Sequence, residues 1–309
     1  MPSISRLPAL TAVLTLLALS ACSKSEEPAT KPAAPPAFTV NLSPPIKVGQ
    51  KFSYTVDMSQ ESKQDVSISG PGMTIPPQNQ DSKSAAHLEG EAEVLAVNAK
   101  GGIQKVAVRV KALTATEDGK AVAGLPGAGA KIVGERKGKD TTVTIDDKPA
   151  SDEITAAIGD ALPLDDDLYT DQELSGPTKP VAVGDSWPVN TSALADQFKQ
   201  EMETDISDLK GTMKLDSLKG SGDDQVAAVS GSFSGTIKPP GLPPTATLDS
   251  ATASGTISGH YPATATKGTL TITDALTRKF DAHGAQQGMQ ITISMTDEQK
   301  RSASAAYHP

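Results

Sequence analysis

"QKVAVRVKAL", residues 104–113, decides the fold class. Val106, Val108 and Val110 alternate with Ala107, Arg109 and Lys111, a period of two that puts branched apolar side chains on one face of a strand. "GMQITISMT", residues 288–296, repeats the rule with Met289, Ile291, Ile293 and Met295 set against Gln290, Thr292 and Ser294. "KFSYTV" (51–56), "TTVTID" (141–146), "GTMKLDSL" (211–218) and "GTLTITD" (268–274) follow it too. Lys100-Gly101-Gly102, Glu117-Asp118-Gly119 and Gly220-Ser221-Gly222-Asp223 separate such runs at hairpin spacing. The pattern predicts a mainly β protein with minor α, built of antiparallel hairpins and meanders, with one sheet face buried and the other wet.

Self-similarity divides the chain into two halves. "PIKVGQKFSY" from Pro45 matches "PVAVGDSWPV" from Pro180, and Leu88-x-Gly90 with Gln104-x-x-x-Val108 matches Leu209-x-Gly211 with Gln225-x-x-x-Val229. Gly124-Leu125-Pro126, Ile132-x-Gly134 and Thr142-Val143-Thr144-Ile145 return as Gly241-Leu242-Pro243, Ile257-x-Gly259 and Thr269-Leu270-Thr271-Ile272. Low complexity combined with hairpin grammar is the competing explanation, and the shared order of the blocks carries the weight. An internal duplication predicts two β-rich lobes, residues 46–175 and 176–300, followed by a disordered tail at 301–309. Two short helices are expected on the sheets. Ser151 caps one, with Ile154, Ile158 and Leu162 on one face; the other starts near Ser192 and spaces Leu194, Phe198 and Met202 four apart.

The single cysteine, Cys22, follows a segment holding Arg6, an apolar run from about Ala9 to Leu19, and small residues. These are the three parts of a secretory signal over residues 1–21, and the run is shorter than the roughly 20 apolar residues of a spanning helix. Leu19-Ser20-Ala21-Cys22 resembles the lipobox of bacterial lipoproteins. The resemblance implies cleavage between Ala21 and Cys22, a diacylglyceryl group on the thiol, and acylation (palmitate) of the new amino terminus. Several acyl chains make an effectively permanent anchor where one, at about 0.8 kcal/mol per buried methylene, holds only marginally. Ser23 stands where an aspartate would favour inner-membrane retention, so the resemblance implies the outer membrane. Ser23 to Pro45 carries six prolines among Ala, Ser, Lys and Glu and reads as a disordered tether over 22–45, with the folded region starting near Ile46.

Removal of residues 1–21 takes away Arg6 and no acid, leaving 27 basic against 37 acidic residues and a net charge of −10. Such a balance argues against a nucleic-acid partner, which rewards clustered Lys and Arg. Anionic lipid would repel this charge, so the acyl chains must provide the membrane contact. Aromatic residues make up only 3%, so stacking platforms for sugars or bases are scarce.

Motifs for catalysis are approached and missed. "GLPGAGAKIVG" has the outer glycine spacing of a P-loop, Gly124 and Gly129, but Ala130 stands where the lysine is needed. In "GSFSG" Phe233 occupies the nucleophile position of an elbow. His87, His260, His283 and His308 are dispersed without paired spacing, so no zinc site and no cofactor is predicted. "LPLDDDLYTDQEL" gathers Asp165, Asp166, Asp167, Asp171 and Glu173; it reads as a solvated acidic turn, with a cation site or an enzymatic use as the alternative. Trp187 and its counterpart Phe52 read as core plugs, and "GPGMTIPPQ" as a loop that folds back on its own sheet.

The folded part loosely resembles secreted β-rich bacterial lipoproteins of unassigned function with a "VGDxW"-type strand start, here Val183-Gly184-Asp185-Ser186-Trp187. No catalytic residue carries over. The expectation is a cell-envelope lipoprotein anchored through Cys22 with a non-enzymatic binding or structural role. The alternative is a carrier of an acyl chain or other apolar ligand between sheet and helices.

Overall fold

The computed structural model describes residues 36–70, 73–165, 168–238, 246–286 and 289–308. They belong to one compact unit that begins at Pro36. The expected signal segment, Ala21, Cys22 and the tether up to Pro35 lie outside the described residues.

In chain order the strands and helices are β1 (Lys51–Gly70), β2 (Met73–Val97), β3 (Ile103–Glu117), β4 (Lys120–Ala121), β5 (Lys131–Lys137), β6 (Asp140–Ile145), β7 (Lys148–Pro149), α1 (Asp152–Ile158), α2 (Asp171–Ser175), β8 (Ser186–Pro188), α3 (Thr191–Met202), β9 (Asp205–Lys219), β10 (Val226–Lys238), β11 (Ala246–Pro262), β12 (Gly268–Gln286) and β13 (Met289–Tyr307). The strands form one 13-stranded antiparallel sheet in the order β7-β6-β5-β3-β2-β1-β13-β12-β11-β10-β9-β8, with β4 beside β3. It is not closed into a barrel.

Alternation sorts the two faces. On β11, Ala251, Ala253, Gly255, Gly259 and Tyr261 are buried, while Ser250, Thr252, Ser254, Thr256, Ser258 and His260 are exposed. On β1 the buried set is Phe52, Tyr54 and Val56. The turn signals fall between strands, and Asp118 and Gly119 both take positive φ, 49° and 76°, as a tight hairpin turn requires.

β7 and β8 lie at opposite edges of the sheet, so the chain between them, residues 150–185, crosses the apolar face and covers it. On the first half Ile158, Ala161 and Leu162 pack with Val106, Val108, Ile132 and Val143. Gly134 gives Leu162 its seat: a Cβ there would come within 2.5 Å of Leu162 Cδ1. The Ser151 hydroxyl caps α1 by accepting from the Ile154 N–H (3.3 Å). On the second half Trp187 is buried, and its Nε1 donates to the Ser175 carbonyl (2.7 Å). α3 is capped by Asn190, one residue earlier than Thr191. Its Phe198 meets Phe233 edge to face (centroids 5.7 Å), so "GSFSG" is a strand that seats a helix. α2 was not foreseen; Thr170 and Glu173 close a capping box around it.

Four expectations change. Residues 38–43, placed in the tether, belong to the body: Val40 and Leu42 are 3% and 2% exposed, and Phe38 exchanges two backbone hydrogen bonds with Val181. Phe38, Val40 and Leu42 carry their own period of two inside a proline-rich context. The tail expected at 301–309 is strand as far as Tyr307, because Ala303, Ala305 and Tyr307 continue the inward set of β13. The halves expected as lobes 46–175 and 176–300 are halves of one sheet, joined where β1 pairs with β13 from Phe52↔Tyr307 to Ser69↔Gln290. One core cluster lies mainly over the first half and two mainly over the second, and Leu270 packs against a cluster of each. Lastly, Met73 and Ile75 lie in β2 opposite Gly70 and Ile68, and a register shift between Val66 and Ile68 absorbs Pro76 and Pro77, which have no N–H to donate.

Leu42→Ala is expected to cost about 2–5 kcal/mol in urea unfolding, the range for a buried leucine. A change under about 0.5 kcal/mol, as for an exposed site, would return residues 38–43 to the tether.

Candidate functional site

The central strands carry charge on the covered face. Alternation along β12 and β13 sets Asp274 directly opposite Arg301, and Arg278 directly opposite Asp297. Arg301 Nε donates to Asp274 Oδ2 (3.0 Å). Arg278 Nε donates to Asp297 Oδ2 (2.9 Å), Nη2 reaches the same oxygen, and Gln60 Nε2 donates to Oδ1 (3.1 Å). Asp297 is 2% exposed, so these donors replace the water it has lost.

Beside the Arg301–Asp274 pair lies a hollow of about 110 Å³. Phe52 and Tyr54 of β1, Leu270 and Ile272 of β12, and Arg301, Ala305 and Tyr307 of β13 line it from the sheet; Ile103 and the crossing chain at Leu162–Asp165 close it from the side. Asp165 is held there by backbone pairing: its N–H donates to the Ile103 carbonyl (2.9 Å) and its Oδ2 accepts from the Ile103 N–H (2.6 Å). Phe52 packs edge to face with Tyr54 (6.2 Å) and with Tyr307 (5.7 Å).

Two of the chain's four tyrosines, Tyr54 and Tyr307, line the hollow, and a third, Tyr261, belongs to the core cluster of the second half. Tyr54, Tyr261 and Tyr307 are 6%, 2% and 6% exposed. None of their hydroxyls hydrogen-bonds to another described residue, and the Tyr261 Oη is fully buried. A buried tyrosine hydroxyl ordinarily finds a partner. Burial pushes Tyr54 up to about 12 and raises Tyr261 and Tyr307 as well, so all three stay protonated donors at neutral pH and are not nucleophiles.

Asp171, at the start of α2, is exposed at the surface. Desolvation by the protein packed nearby, then the neighbouring charge of Asp165, pushes its carboxyl up to about 6; Arg301 works against the rise and Asp274 adds to it. Asp171 also acts on Tyr261. Asp171 thus feels the charges of Asp165, Arg301 and Asp274, although it does not itself line the hollow.

The acidic stretch that holds Asp165 and Asp171 does not act as one cluster. Asp165 turns to Ile103, and Glu173 closes its capping box and pairs with Lys100 (2.7 Å). Asp166 and Asp167 lie outside the described residues. Among the described residues no group of three or more His, Cys, Asp or Glu is placed to hold a metal ion. The histidines stay dispersed: His87 meets Asp57 (2.8 Å), His283 meets Asp249 (2.7 Å), His260 meets Thr271 and His308 meets Ser53 (both 3.0 Å). Arg301, Asp274 and the tyrosines escaped the sequence reading, although the alternation from Ile291 through Asp297 to Arg301 and Tyr307 was there to be followed.

No protein-family model matches the chain, and no curated protein matches its sequence. Among solved structures it is similar to lipovitellin at 7% identity and TM-score 0.29, over 85% of this chain and 25% of that one. It is similar to OpdQ of Pseudomonas aeruginosa at 6% identity and TM-score 0.18 (82% and 98% covered). A third similarity is to an outer membrane channel from Pseudomonas putida F1, at 10% identity and TM-score 0.15 (86% and 98% covered). The chain thus spans a quarter of the lipovitellin chain it matches, and the site is read from its own residues.

The raised Asp171 carboxyl has a consequence for stability. The folded state holds this proton more tightly than the unfolded chain does, so stability from this group is greatest below about pH 4 and falls as pH rises to about 6. Asp171→Asn is therefore expected to melt above the parent at about pH 7.5 and level with it at about pH 4. An equal difference at both pH values would show that the carboxyl is not perturbed.

Proposed function

We propose that this is a lipoprotein of the bacterial cell envelope, anchored through Cys22 in the outer membrane, whose body binds a small polar or amphipathic ligand on the covered face of the sheet without transforming it. One observation carries the binding reading: Tyr54 and Tyr307, whose hydroxyls make no hydrogen bond to a described residue, line a hollow that also holds Arg301 and Asp165. Each of these hydroxyls can donate a hydrogen bond to a polar group of a ligand that enters the hollow. Tyrosines held protonated, with no nucleophile beside a base, suit recognition better than chemistry.

The hollow also narrows the carrier alternative. At about 110 Å³ it falls short of the roughly 300–1,000 Å³ of pockets that engulf drug-sized ligands, so it suits a head group better than an acyl chain. The enzymatic and cation-site alternative finds little support where Asp165 and Glu173 turn to separate partners.

Two experiments test the reading. The chain from Ser23 onward, exported behind a cleavable signal, is expected to bring with it a stoichiometric small molecule detectable by native mass spectrometry and solvent extraction. A body that is empty, and that takes up nothing from an envelope extract, would defeat the binding reading. Metabolic labelling with palmitate is expected to mark the parent and not Cys22→Ser; equal labelling would defeat the anchor.

A further inference from the structure

Resting on the binding reading above, we propose that the hollow takes an uncharged carbonyl group, of an ester, amide or ketone, whose oxygen accepts hydrogen bonds from Arg301, Tyr54 and Tyr307 while a short apolar neighbour lies over Ala303 and Ala305. The register of the central strands makes the space. Tyr54 of β1 and Leu270 of β12 flank Ala305, and Val56 and Ile272 flank Ala303, so the middle strand carries methyl groups where its neighbours carry large side chains. Tyr307 and Arg301 stand at the two ends of that strip on β13. The polar lining is rich in donors. Among the described residues Arg301 donates only through its Nε, to Asp274, so both of its Nη groups keep their N–H donors. The Tyr54 and Tyr307 side chains are each 6% exposed, and their hydroxyls make no hydrogen bond to a described residue. The acceptors nearby are engaged: Asp274 by Arg301, and Asp165 by the Ile103 N–H and by a further partner. A carbonyl oxygen has two lone pairs and no proton, which matches such a lining. Charge selects the neutral form. Arg301 and Asp274 already answer each other, so no surplus positive charge favours a carboxylate, and a cation would find both carboxylates engaged. The volume agrees, since a cavity of about 150 Å³ holds benzene and one of about 110 Å³ therefore holds a group of somewhat fewer heavy atoms.

The test is a ligand-observed NMR titration of the full-length chain in a maltoside detergent at about pH 7.5, where both hydroxyls are protonated. Three probes share one skeleton: butanone; 2-methyl-1-butene, in which a methylene replaces the carbonyl oxygen; and propionate, the anionic counterpart. Butanone is expected to bind at least about tenfold more tightly than the alkene, and more tightly than propionate. The double variant Tyr54→Phe, Tyr307→Phe removes only the two hydroxyls. It is expected to reduce the ketone-to-alkene ratio to under about threefold while the alkene's affinity and the cooperative melt stay at the parent's values. The same carbonyl occurs in a free solute and in an acylated lipid, and dibutyrin, a short diacylglycerol, separates the two. Tighter binding than butanone assigns the carbonyl to an acylated lipid, weaker binding to a free solute, and both support the class. Equal affinity for butanone and the alkene, a ratio unchanged in the double variant, or tighter binding of propionate overturns the carbonyl but leaves a binding hollow. Absence of binding by every probe also overturns the carbonyl, and the binding reading falls with it only if the purified body is empty as well.

Discussion

An antiparallel sheet with one apolar face must have that face covered, and here the two ends of the crossing chain are attached at opposite sheet edges. β7 and β8 are the terminal strands of the order, so residues 150–185 cannot connect them without traversing the whole width. The traverse serves as the second layer that a one-faced sheet requires. α1 and Leu162 cover one half, Val181 and Trp187 with α2 and α3 cover the other, and residues 38–43 fill the space along Val181. Everything else in the fold, including the seat that Gly134 leaves for Leu162, accommodates that crossing.

Cover arrives from two sides, and the hollow lies over the middle strands, β1, β13 and β12. There the inward set changes from aliphatic to charged: Arg301 and Asp274, then Arg278 and Asp297. A buried ion pair is often no more stabilising than an apolar pair of similar volume, so packing alone does not account for these residues. The pairs divide the labour. Asp297, enclosed and bonded by Arg278 and Gln60, holds three strands in register, while Arg301 and Asp274 stand at the edge of the hollow with solvent contact. The hollow thus lies where the aromatic cluster ends and the charged ladder starts.

Much of this was legible in particular residues. Val106, Val108 and Val110 stated the sheet, Ser151 stated a helix start, and the paired glycines stated the turns, because backbone sterics and hydrogen-bond geometry act locally. The misreadings share a cause. Phe38, Val40 and Leu42 sit among prolines, and Arg301 to Tyr307 sit among serines and alanines, so composition over a window hid an alternation only three or four residues long. α2 escaped because a five-residue helix has too few turns to show a period, although its capping box was present in the residues Thr170 and Glu173.

The sequence by itself determined which side of the clearly alternating strand segments is apolar, and therefore that a covering layer must exist; side-chain alternation follows from the backbone alone. It could not say that the two halves share one sheet, since the β1–β13 pairing joins residues at opposite ends of the body and depends on the crossing chain having brought the edges into place. The candidate site belongs to that second category. Tyr54, Asp165, Arg301 and Tyr307 are scattered over more than two hundred positions, and only the register of the central strands and the path of the crossing chain bring them to one hollow. The physical reason is that a site between layers is made by long-range packing, which no local pattern encodes.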